Sequence, residues 1–192
     1  ESVGAYHGKV EKATDSEILD LSAHVLTKGL GIQKIAGSID FPEEKASLLI
    51  EEADGLTLHL RGKRVTEGRL PERPGEIAVD SFAAKLLGIS SKIGKRVSLN
   101  INGNERVFEV VGIISTARQE SSLSRAFVSV SAQEFSAIAS KSEVAKNVYF
   151  TVDAENKMLR IAAQKVASDL ELTDRARYNG SLIYHLETLS PV

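Results

Sequence analysis

The stretch "KRVSLNINGNERVFEVVGIIS" (95–115) constrains the fold more than any other part of the chain. Val97, Leu99 and Ile101 alternate with Arg96, Ser98 and Asn100, the period-two pattern of a strand with one face buried. Asn102-Gly103 comes next. Both central residues of a type I′ turn need positive φ, and Asn-Gly supplies it with little strain. The return strand carries Val107 and then the fully apolar "VVGII" (110–114), in which Gly112 marks a bulge or a bend.

The flanking segments add helices to strands. Residues 5–10 read as a short strand. Ile18, Leu21 and Val25, with Leu19 and Leu26 alongside, predict a helix over 15–29, capped by Asp15 or Ser16 and ended by Gly29, with Lys28 suiting the C-terminal dipole. Strands are expected over 31–41 and 45–54, joined by the turn "FPEE". The pattern of 55–65 does not choose between helix and strand. A brief strand over 76–80 leads into a short helix over 81–89. A strand beginning near 125 precedes a helix capped by Ser131, with Glu134 placed for a capping box. A strand over 147–153 precedes a helix over 154–170 whose inward stripe is Met158, Ile161/Ala162, Val166 and Leu170. Residues 176–186 read as a last strand running into a helix. The sum is an α+β pattern with an insertion. Residues 1–65 and 116–192 pack as one two-layer unit, and 66–115 form a small β-rich unit inserted into it.

Composition narrows the function. At 192 residues the chain makes one domain or two small ones, and 42% hydrophobic content with 26% charge belongs to a folded protein. The net charge is −2 and basic residues are scattered, so the concentrated cationic face of a nucleic-acid binder is missing. Without cysteine there is no disulfide, thiol nucleophile or cysteine metal site. No apolar run reaches the roughly 18 residues of a membrane span, and no signal peptide is recognisable. The chain opens on Glu1 rather than Met, as an excised or processed piece would.

A search for chemistry finds little. His7, His24, His59 and His185 show no metal-ligand spacing. Glu43–Glu44 and Glu51–Glu52 are adjacent pairs, and on a strand adjacent side chains point to opposite faces. No nucleophile elbow, phosphate loop, calcium loop or zinc helix motif occurs. "NGS" (179–181) fits a glycosylation sequon, a short and common pattern. The catalytic inventory is empty, which favours binding, structural or force-transmitting work.

"EGRLPERPGEIAVD" (67–80) holds two of the four prolines, Pro71 and Pro74. They fix φ and bias Leu70 and Arg73 away from helix, so the segment is a stiff doorway into the strand at Glu76. Gly68-Arg69-Leu70-Pro71, Glu76-Ile77, Ala83 to Gly88, Gly94-Lys95-Arg96-Val97 and Val110-Val111-Gly112-Ile113 stand in the order and spacing of the extracytoplasmic domain of MacB-like and FtsX-like ABC transporter permeases, which this region resembles. The two ends resemble more loosely the segments that leave the first transmembrane helix and lead to the second in some Gram-positive permeases. The resemblance implies a porter-like α/β part made from both chain ends, with a small β-rich part inserted. It implies a non-catalytic extracellular domain, at the outer face of the cell membrane, that couples ATP-driven motion to export or to an extracytoplasmic partner. The partners it implies are the flanking transmembrane helices, a cytoplasmic ABC ATPase that binds the ATP, a second permease subunit, and an exported peptide, a lipoprotein or a cell-wall enzyme. No cofactor is expected in the domain itself.

Two other readings stand beside this one. A free-standing surface or periplasmic binding module would carry a signal peptide or lipid anchor. An enzyme would need a site assembled from scattered residues such as Glu51, His59 and Arg61. The polar stretch "TARQESSLSR" (116–125) follows the hairpin as a loop, and Arg118, Gln119 and Glu120 within it are candidate contacts for a substrate or partner.

Overall fold

The computed structural model describes residues 4–89, 93–115, 125–140 and 143–189. The chain divides into two compact units, Glu1–Gln33, Leu56–Gly62 and Lys146–Val192 in the first, Lys34–Gly55 and Lys63–Ala145 in the second. Each is a mixed α/β structure.

In the first unit, strand β1 (Gly8–Val10) lies between β9 (Ala145–Val152) and β10 (Ala176–Tyr178), antiparallel to both. The first half of β2 (Thr27–Phe41) lies beside β9. Helices α1 (Asp15–Ala23) and α5 (Leu159–Asp169) carry the apolar face that closes on this sheet, and Val10, Leu21, Phe150, Ala163 and Val166 are fully buried there. Thr14, not Asp15 or Ser16, caps α1: its hydroxyl accepts from the Glu17 N–H and the Glu17 carboxylate accepts from the Thr14 N–H, a complete capping box. Helix α1 stops at Ala23, short of the expected 29. The His24 ring accepts from the Leu26 N–H and turns the chain into β2, so Lys28 and Gly29 are strand residues and Val25 is 89% exposed. The stripe expected on α5 is rotated. Ala162 and Val166 are buried, but Leu159, Ala163 and Ala167 complete the inner face while Met158 and Ile161 face solvent. Small alanines let the helix lie close to the sheet, which a count of large apolar residues does not anticipate. The undecided segment 55–65 resolves into α2 (Gly55–Leu60), whose buried Thr57 and Leu60 lie over Gly31, and the start of β4 (Arg64–Gly68). The tail ends in α6 (Gly180–Leu189), with Ile183 in the core.

The second unit is built on the expected hairpin. Strands β6 (Arg96–Ile101) and β7 (Asn104–Ser115) pair around a turn with φ of 53° at Asn102 and 81° at Gly103. β7 also pairs parallel with β5 (Glu76–Asp80) and antiparallel with β4. β8 (Arg125–Val130) lies antiparallel to β5 and parallel to β3 (Ala46–Glu52), which closes the hairpin with the second half of β2. Helices α3 (Ser81–Leu86) and α4 (Ala132–Ala139) pack on this sheet, capped by Asp80 and Ser131. The Glu134 carboxylate pairs with Arg106 at 2.5 Å. The limits of the units therefore differ from the expected insertion at 66–115. β8 sits between β3 and β5, which draws 34–55 and 125–145 into the same unit as the hairpin.

The doorway into β5 has a definite construction. Gly68 (φ +68°) pairs with Gly112 across β4 and β7, and Arg69 N–H donates to the Val111 carbonyl at 3.0 Å. A Cβ on Gly112 would stand 2.0 Å from the Arg69 carbonyl oxygen, and one on Gly68 2.1 Å from that of Val111, so both positions must be glycine. The Arg69 guanidinium then forks onto Glu76 at 2.6 and 2.9 Å, while Glu76 also accepts from the backbone N–H groups of Glu72 and Arg73. The Arg69 hydrogen bonds first, then these backbone donors, hold the Glu76 carboxyl down at about 2. Gly112→Ala is expected to cost about 3 kcal/mol or more, because backbone stands in the way of the new methyl. Urea unfolding measures this, and a loss within the ordinary surface range would contradict the close approach.

Candidate functional site

The strongest candidate is the place where residues 4–8 and 176–180 meet in the first unit. Gly8 stands opposite Phe150 on one side and Tyr178 on the other. Just before it, His7 N–H donates to the Phe150 carbonyl at 2.9 Å, and the His7 carbonyl accepts from the Asn179 N–H at 3.1 Å. The Leu60 carbonyl accepts from both Ala5 and Tyr6, tying the end of α2 to the same junction. The Asn179 side chain is buried; its Nδ2 donates to the Gly4 carbonyl and its Oδ1 accepts from the Leu182 N–H, which caps α6. A residue before the first strand and one after the last are thus joined directly, and α6 follows at once.

Two further contacts stiffen the junction. The Tyr6 ring meets Tyr149 edge-on, with centroids 5.1 Å apart. The Arg175 guanidinium forks onto Glu17 in the first turn of α1 and donates to the Lys12 carbonyl at 2.8 Å. The hydrogen bond from Arg175 is the main cause that lowers the Glu17 carboxyl.

His7 gives the junction a pH dependence. Its Nδ1 accepts from the Val152 N–H at 2.9 Å, which requires the neutral ring. Burial first, and then the charge of Lys28, lower the His7 pKa below its ordinary 6.5. The unfolded chain therefore binds the proton more readily than the folded one. Stability from this contact is complete above about pH 6.5 and falls as the pH drops through the folded value. The melting temperature is expected to decline between about pH 7 and pH 5, and His7→Gln to flatten that decline. Equal slopes in the two proteins would contradict the assignment.

The other sequence-level candidates do not gather into a site. Glu51 is buried on β3 in the second unit, whereas His59 is exposed on α2 and Arg61 stands beside the Tyr149 ring in the first. Glu51 and Glu52 take different environments: Glu52 pairs with Lys34 at 3.6 Å, while Glu51 points inward. His24 is bound to Asp169 at 2.9 Å and locks the ends of α1 and α5. Asn179 of the glycosylation sequon is buried and committed to hydrogen bonds, so the folded chain does not offer it to a glycosyltransferase. Arg118, Gln119 and Glu120 lie outside the described residues. Among the described residues no three His, Cys, Asp or Glu side chains are grouped to hold a metal, and no helix is long and apolar enough to cross a membrane. The junction residues Tyr6, His7 and Asn179 escaped the sequence reading. One signal was available: Asn-Gly ahead of an apolar helical run is an N-cap pattern.

No protein-family model matches the chain, and no curated protein matches it in sequence. Solved structures do match its shape. The periplasmic region of MacB from Actinobacillus actinomycetemcomitans superposes with a TM-score of 0.54 at 15% identity, covering 99% of this chain and 96% of that one. The extracellular domain of the noncanonic ABC-type transporter YknZ from Gram-positive bacteria superposes with a TM-score of 0.50 at 15% identity, covering 91% of this chain and 99% of that one. Similarity that spans nearly the whole of both chains settles the architecture: this chain has the mixed α/β fold of the MacB and YknZ extracytoplasmic domains.

Proposed function

We propose that the chain is the non-catalytic extracytoplasmic domain of an ABC transporter permease, held between two membrane-spanning segments of one protein. The observation that carries this reading is the junction, where residues 4–8 and 176–180 run side by side and hydrogen-bond to each other. A domain inserted between consecutive spans needs neighbouring ends, and a free-standing module does not. Full-length alignment with the MacB and YknZ domains supports it.

In this reading, β1 and α6 lead to the flanking helices. Motion driven by ATP on a cytoplasmic ATPase enters the first unit through the paired strands β1 and β10. The second unit, with its stiff doorway, presents a surface to an exported substrate, a second permease subunit or an extracytoplasmic partner. Arg118, Gln119 and Glu120, between β7 and β8, are the proposed contact residues.

The test is membrane fractionation of the protein from its uncut reading frame. Apolar spans of about 20 residues are expected on both sides of this stretch, and the protein is expected to stay in the membrane pellet after alkaline carbonate and to need detergent for release. Release by carbonate would contradict the reading.

A further inference from the structure

The chain contains two Asn-Gly dipeptides, Asn102-Gly103 and Asn179-Gly180, and the fold treats them in opposite ways. Asn179 is buried and held by its backbone and its side chain alike. Its N–H donates to the His7 carbonyl at 3.1 Å, and its carbonyl accepts from the Ile183 N–H at 3.0 Å. Both polar atoms of its carboxamide are engaged as well, Nδ2 with the Gly4 carbonyl and Oδ1 with the Leu182 N–H. Asn102 and Gly103, by contrast, form the exposed tip of the β6–β7 hairpin. The innermost strand pair is Ile101 with Asn104, so the two tip residues lie beyond the ladder. Among the described residues, neither the Asn102 carboxamide nor the Gly103 N–H makes a hydrogen bond. The contact across the tip runs from Asn104 Nδ2 to the Asn102 carbonyl at 3.5 Å, too long to hold firmly. A Cβ on Gly103 would meet nothing within 4 Å. Asn102 Oδ1 lies 3.9 Å from where a Cβ on Gly37 would stand, so no side chain fences the carboxamide on that side.

We propose that Asn102 is a site of spontaneous deamidation in the folded protein, and that the bonds around Asn179 protect the second dipeptide. The proposal does not depend on the permease reading. The following glycine suits the reaction because, with no side chain, its nitrogen approaches the asparagine carboxamide without a clash. The Gly103 backbone nitrogen gives up its proton and attacks Cγ of Asn102. A C–N bond forms, the carboxamide nitrogen leaves as ammonia with that proton, and a succinimide remains. Water then opens the ring at either carbonyl. One product is aspartate; the other is isoaspartate, whose main chain runs through the former side chain. Ring closure needs the tip to leave its turn geometry, a local opening that the weak Asn104 contact does little to resist. At Asn179 the same motion breaks the whole set of hydrogen bonds to Gly4, His7, Leu182 and Ile183. The consequence falls on the hairpin. Isoaspartate adds a carbon to the main chain of a two-residue loop, and loop length fixes the register of the strands it joins. Leu99 and Ile101 reach the core of the second unit from that register, so the modification loosens this core.

The test is to hold the 192-residue chain at mildly alkaline pH, folded in buffer and unfolded in concentrated urea, and to follow tryptic peptides 97–106 and 178–192 by mass spectrometry. Tandem spectra place the gain in mass on one asparagine, and an isoaspartyl methyltransferase reports the isoaspartate. Both Asn-Gly sites are expected to convert in urea. In the folded chain Asn102 is expected to convert faster than Asn179 by on the order of tenfold or more, since opening at Asn179 breaks several hydrogen bonds. Asn102 left intact in the folded chain while the urea sample converts would overturn the proposal. Equal rates at the two sites in the folded chain would overturn it too. The isoaspartate form, separated by ion exchange, should melt below the unmodified chain and below Asn102→Asp, which carries the charge without the longer backbone. An isoaspartate form that melts with Asn102→Asp would contradict the effect on the hairpin.

Discussion

The first unit depends on one short strand. β1 has only three residues, yet it fills the gap between β9 and β10 and takes up hydrogen-bonding edges on both. Its partners lie more than a hundred positions away, so this sheet cannot complete until the two ends of the chain meet. The entropy of closing so long a loop rises only slowly with length. A large insertion therefore costs the first unit little, and the chain leaves it after Gln33 and Gly62 to build the second unit and returns at Leu56 and Lys146. Topology and the proposed role share this cause: a sheet closed by the chain ends is also a sheet on which anything pulling on those ends must act.

The doorway owes its residues to backbone geometry rather than to a ligand. Gly68 and Gly112 are needed because two backbones approach more closely than a side chain allows. Arg69 and Glu76 are needed because the fork between them, backed by two backbone N–H groups, fixes the turn that carries Pro71 and Pro74. Each residue in the motif answers to backbone geometry. A pattern of this kind identifies an architecture and is silent about a cargo.

Local chemistry was legible in the sequence where it is decided within a few residues. The Asn102-Gly103 turn, the Ser131 cap and the alternation through Val97, Leu99 and Ile101 all stand as the pattern requires. What needs the rest of the chain was not legible. Val25 and Ile161 match a helical stripe but lie outside the core, since a His24 turn ends one helix and small alanines turn the inner face of the other. Strand order was hidden for the same reason: β8 between β3 and β5 joins segments that no local pattern links. At the junction, His7 and Asn179 are ordinary polar residues in sequence and become structural only when chain ends far apart are brought together.

Sidedness tests the account most directly. Val25 in the first unit is 89% exposed and Val107 in the second is 61% exposed, and this stretch contains no cysteine of its own. Val25→Cys and Val107→Cys, each in the full-length protein on a cysteine-free background, can be treated in intact cells with a maleimide that does not cross membranes. Labelling of both positions in unbroken cells is the expected result; labelling of either only after lysis would contradict an extracytoplasmic domain held by its two ends.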